Sequence, residues 1–125
     1  MCLTKGSKMN KQIGKINKKV IKLLDLKCEN GTPIYIGDNN INHMKREHLE
    51  DFNNYGENIE EIIKNPSYVA KNPNQNSIEY IKEYKVGKDF VLVAVRASSK
   101  GKMFARTLFT MTERKKNIYL NKRIC

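Results

Sequence analysis

The chain has no tryptophan, only two histidines and only three cysteines in 125 residues. Each scarcity excludes something. Cys2, Cys28 and Cys125 are odd in number, far apart and without metal-ligand spacing. That argues against a disulfide framework and for free thiols in a reducing compartment. No apolar run approaches the roughly 20 residues of a membrane span, and MCLTKGSKMNK offers no apolar stretch for a signal peptide. There is no internal repeat, linker or low-complexity tract, so one domain over residues 1–125 is expected. Aromatic residues are 8% of the chain, few for a module that binds nucleic acid by stacking bases.

Acidic residues are scarce at both ends. Residues 1–28 carry eight Lys and one acid, residues 29–83 five basic and ten acidic residues, and residues 84–125 eleven basic and two acidic. The net charge is +11. Compositional drift toward lysine would not spare the middle, so the clustering points to a polyanion, with nucleic acid ahead of a membrane surface.

Residues 13–24 repeat apolar side chains at spacings of three and four (Ile13, Ile16, Val20, Leu23, Leu24) with lysines between them. This predicts a basic amphipathic helix within residues 1–30, ahead of a core over 31–125. TPIYIGD reads as a short strand. A helix follows over about 40–54, then a second one, ENIEEIIKN, ended by Asn65–Pro66. From residue 67 the period changes to two. An extended stretch at 67–71, SIEYIKEYKV, FVLVAVRA and MFARTLFTM read as strands, and a last short one is expected near Ile118–Leu120. Helices first and strands after predict an α+β domain, with two to three N-terminal helices packed on an antiparallel sheet of about four strands.

The histidines, His43 and His48, lie in INHMKREHLEDF. Five residues turn a helix by about 500°, or about 140° past a full turn. The two rings cannot converge on one ion, HExxH is absent, and no metal or other cofactor is expected. His48 falls in an apolar stripe with Ile41, Met44, Leu49 and Phe52, and by pattern alone it reads as a core histidine. The functional reading is an imidazole at the edge of the core that moves a proton.

The strands supply partners. Alternation puts Phe90, Leu92, Ala94 and Arg96 on one face. It puts Ala105, Thr107 and Phe109 on one face of the last strand, and Arg106, Leu108 and Thr110 on the other. Arg96 ends an apolar run, where a charge needs an edge or an anion. A guanidinium fork suits phosphate. Lys100 and Lys102, in the turn SSKGK, add positive charge. One imidazole, arginines, a hydroxyl and a basic surface suit a ribonuclease that needs no metal, because RNA brings its own 2′-hydroxyl nucleophile. The second proton-transfer group stays open among His43, Tyr80, Tyr84 and a lysine. The same features also suit a non-catalytic nucleic-acid-binding or virion interaction domain.

IYIGDNNINHMKREH, then IEEIIKNPSYV, FVLVAVRA and ARTLFTM, resembles the phage-associated nucleases of the barnase–EndoU–colicin–RelE-like families over residues 34 to about 120. The resemblance implies a metal-independent RNase, phage-encoded or toxin-linked, that acts on tRNA or other RNA in the bacterial cytoplasm. Its partner would be an acidic immunity protein or antitoxin. It places the helix histidine at His48 with His43 second, the strand-end basic residue at Arg96, and the threonine at Thr107 ahead of Thr110. Arg106 is then a second phosphate contact.

Overall fold

Runs of alternating or wholly apolar residues build one sheet. In the computed structural model, which describes residues 10–124, its strands are β1 (Asn10–Ile16), β2 (Thr32–Gly37), β3 (Tyr68–Asn72), β4 (Ser77–Tyr84), β5 (Asp89–Ala97) and β6 (Met103–Met111). The helices are α1 (Lys18–Leu24), α2 (Asp38–Glu47), α3 (Leu49–Tyr55), α4 (Ile59–Lys64) and α5 (Glu113–Ile124). The strand order is β1-β2-β6-β5-β4-β3. The class is α+β, as expected, but six strands replace the expected four. The sheet is also mixed: β2 runs parallel to β6 through Ile34↔Met103 and Tyr35↔Phe104. Cys2 and Cys125 lie outside the described residues, and Cys28 is a partly buried free thiol.

The sheet is apolar on both faces. Val91, Val93 and Val95 join Ile16, Ile34, Met44, Ile62 and Leu108 in the main core. Ile81, Phe90, Leu92, Ala94 and Met111 form a second cluster, covered by Phe109 and by Tyr119 and Leu120 of α5. Burial on both sides is why FVLVAV reads as continuous rather than alternating apolar sequence.

Three corrections share local causes. The expected helix over 13–24 is β1 followed by the short α1. The β1–β2 register shifts between Gln12 and Gly14, so the bulge residue Ile13 and Ile16 both reach the core three residues apart, mimicking helical spacing. A Cβ on Gly14 would lie 2.9 Å from Ile63 Cγ2, which fixes glycine where β1 passes under α4. Asn17 then starts α1, accepting from the Val20 N–H at 2.9 Å. The strand expected near Ile118–Leu120 is instead the middle of α5. Thr112 accepts from the Lys115 N–H at 3.2 Å, and the Lys116 Nζ lies over the rings of Phe90 and Tyr68, at 4.7 and 4.9 Å. The single helix over 40–54 is broken at His48, which caps both α2 and α3 with φ −145° and ψ 62°.

The break places α3 against the far half of β6, beyond the two residues that pair with β2. The Asp51 carboxylate accepts from the Thr110 backbone N–H at 3.1 Å and from its hydroxyl at 3.0 Å, satisfying an edge that β2 leaves open. Asp51→Ala should lower stability by about 1–3 kcal/mol, read as a lower urea midpoint at unchanged slope.

Candidate active site

Where β2 stops pairing with β6, α2 takes its place along the strand. Asn39, Asn40, His43 and Arg46 recur at helical spacing on one side of α2. Met44 is wholly buried in the core. The polar side chains face a cleft of about 400 Å³ whose other wall is Gln75, Ser77, Ala94, Arg96, Arg106 and Thr107. Pairing brings the sheet residues together: Ser77 opposes Arg96, and Ala94 opposes Thr107.

Arg106 is there because of a bulge. Ala94 and Val95 are consecutive, but their partners on β6 are Thr107 and Ala105. Arg106 is the extra residue, and a bulge re-aims its side chain. The bulge also corrects the expected faces. Ala105 and Leu108 both lie in the main core, so Thr107 does not share a face with Ala105.

The electrostatics of the cleft are one-sided. Arg46, Arg96 and Arg106 line it, and among the described residues no carboxylate does, although the neighbouring Glu47 lies 3.6 Å from Arg46 Nε. Arg106 donates from Nη2 to the Ala97 carbonyl at 3.2 Å, while its buried Nε has no partner among the described residues. Desolvation, and then the positive charge of Arg96, hold its pKa below the ordinary value. Two guanidiniums that repel each other, one with an unused donor, have the charge and donors that suit an anion.

Arg46 Nη2 lies 3.2 Å from His43 Nδ1. A guanidinium can only donate, so Nδ1 carries the lone pair and the ring proton sits on Nε2. His48 does not line this cleft. Its ring packs on Phe109, with centroids 5.7 Å apart. The imidazole that shares a cleft with the two strand arginines is therefore His43, and the expectation that His48 would do so is corrected. The cause is the non-helical backbone at His48, which ends α2 one residue earlier.

Other expected residues lie elsewhere. Thr110 is bound to Asp51, Lys102 sits over the Tyr35 ring at 5.4 Å, and Lys100 is exposed in the β5–β6 turn. Tyr80 is in the main core and Tyr84 donates to Glu61 at 2.9 Å. Burial comes first in raising the pKa of both tyrosines. Sequence reasoning missed Arg46, Asn39, Asn40, Gln75 and Ser77. The spacing of Arg46 from His43 was a usable signal. Among the described residues, no three His, Cys, Asp or Glu side chains come together as a metal site.

Tyr55, which donates to Asp89 at 2.7 Å, gives the fold a pH limit. Desolvation, that hydrogen bond and the charges of Asp89 and Asp51 raise its pKa to about 12. An unfolded tyrosine ionises near about 10. The stabilisation is complete below about 10 and lost as pH rises through about 12. Urea midpoints should therefore fall in that window, and fall less in Tyr55→Phe.

The sequence pattern of the phage-Barnase-EndoU-ColicinE5/D-RelE like nuclease3 family matches residues 11–118. The chain belongs to that family. No curated protein and no solved structure matches it. A phosphodiester is an anion with two free oxygens, the kind of group that guanidinium donors fit. In this nuclease-family chain, the cleft between α2 and the β4–β6 ends has the size and charge for one such group and its neighbours.

Proposed function

We propose that the chain is a metal-independent endoribonuclease and that the cleft holding His43, Arg46, Arg96, Arg106 and Thr107 is its active site. The observation that carries the reading is the carboxylate-free pairing of Arg96 and Arg106 beside an imidazole. Arg96 and Arg106 bind the non-bridging oxygens of the scissile phosphate and offset the charge that grows on them, with the Thr107 hydroxyl as a further donor. A phosphate that attracts Arg46 releases the His43 Nδ1 lone pair, which takes the 2′-hydroxyl proton. The 2′-oxygen–phosphorus bond forms and the bond to the 5′-oxygen breaks. The proton held by His43 is then available to the departing 5′-oxygen. The products are a 2′,3′-cyclic phosphate and a 5′-hydroxyl.

The test is incubation of the purified chain with total RNA, tRNA included, in EDTA. Cleavage to cyclic-phosphate ends, with DNA of the same sequence left intact, is the expected result. RNA bound but uncut would leave a non-catalytic binding module and overturn the proposal, as would equal cutting of DNA. The net charge and the phage-associated family favour a substrate in the bacterial cytoplasm.

A further inference from the structure

A second groove, of about 810 Å³, lies along β3 and shares no lining residue with the cleft. β3 is the last strand of the sheet, so its outer edge has no strand neighbour among the described residues. Unpaired edges recruit other strands unless blocked. Here Pro66 and Pro73 flank the strand and no proline interrupts Tyr68–Asn72, although α1 and α5 each pack against part of it.

The groove floor is apolar. Val20, Leu23 and Leu24 of α1 line it together with Val69 and Ala70 of β3. Leu23 is 64% exposed although it belongs to the apolar stripe of its helix. The rim is basic: Lys19, Lys64 and Lys71 line the groove, and among the described residues no Asp or Glu does.

From a strand edge without a strand neighbour among the described residues, an apolar floor and a lysine rim, we infer that the groove takes an acidic, extended polypeptide segment of a partner protein. It adds as a seventh strand beside β3. Main-chain hydrogen bonds supply the pairing, alternate apolar side chains fill the floor, and the acidic ones meet the lysines. A nucleic-acid strand fits less well. Among the described residues Tyr68 is the only aromatic lining the groove, and the Lys116 ammonium lies over its ring at 4.9 Å, so that ring is not a free stacking platform. The inference does not rest on ribonuclease activity, because the groove and the cleft are separate.

The test uses the whole chain and a short synthetic peptide that alternates glutamate with valine. Binding followed by fluorescence anisotropy should weaken with salt, and by at least about tenfold in Leu23→Glu and in Lys64→Glu. Both residues are exposed, so both variants should keep the wild-type urea midpoint. Amide exchange along β3 should slow when the peptide is bound. Absence of binding would overturn the inference. So would equal binding by both variants, equal binding of a peptide with lysine in place of glutamate, or displacement of the peptide by RNA whose own affinity falls equally in Lys64→Glu.

Discussion

His43→Ala should lower the rate of RNA cleavage by about 10²–10⁴-fold, while His48→Ala should leave it within a few-fold of wild type. The two rings are close in sequence and far apart in role. His43 lines the cleft with Arg96 and Arg106, whereas His48 packs on Phe109 at the junction of α2 and α3. Losing the His48 ring removes an aromatic contact of about 1 kcal/mol, so its effect should appear in the urea midpoint rather than in turnover. Initial rates on one RNA substrate, beside unfolding curves for both variants, separate the roles. Equal loss of cleavage in two folded variants would reject His43 as the proton-transfer group of this cleft.

Arg46 should behave differently from both. It does not replace the imidazole but holds its Nδ1 as an acceptor. Arg46→Ala removes that constraint and one of the cleft's positive charges, so a moderate fall in kcat with a rise in KM is expected. Arg46→Lys should recover the charge-dependent part and not the orientation.

The residues that could be read from sequence were those in unbroken periods. β4 and β5 followed from alternation and from an apolar run bounded by turns, and Asn65–Pro66 marked the end of α4. Arg96 could be singled out because a charge at the end of FVLVAV has no apolar explanation. What failed were the interruptions. Two bulges, one at Ile13 and one at Arg106, insert single residues that no periodic count detects. The first turned a strand into an apparent helix, and the second moved Ala105 off the face expected to hold Thr107 and Phe109. One non-helical residue, His48, divided a stripe that looked continuous from Ile41 to Phe52. The position of α2 beside β6 depends on β2 parting from β6 after two parallel pairs, a long-range event with no local sequence mark. The chemistry-bearing residue types were therefore visible, but which histidine met which arginine was set by tertiary structure.

Arg106→Met should lower cleavage by about 10²–10³-fold and at the same time raise the urea midpoint of the free protein. The guanidinium is kept partly out of water, beside the like charge of Arg96, with its Nε unpaired. A methionine of similar length removes the repulsion and the unsatisfied donor, while the Ala97 carbonyl that Arg106 now holds gives up one hydrogen bond. Relief of desolvation and repulsion should outweigh that bond, because the bond is a single one near the surface. The same account requires phosphate to stabilise the wild type, by an amount that grows with the logarithm of its concentration, and to stabilise Arg106→Met much less. Arg106→Lys should recover part of the phosphate effect and little of the cleavage. An ammonium supplies charge but not the paired donors that fit two oxygens of one phosphodiester. If Arg106→Met is instead less stable than wild type and responds equally to phosphate, the bulge holds its arginine for structure. The anion would then have to be bound by Arg96 and Arg46 alone.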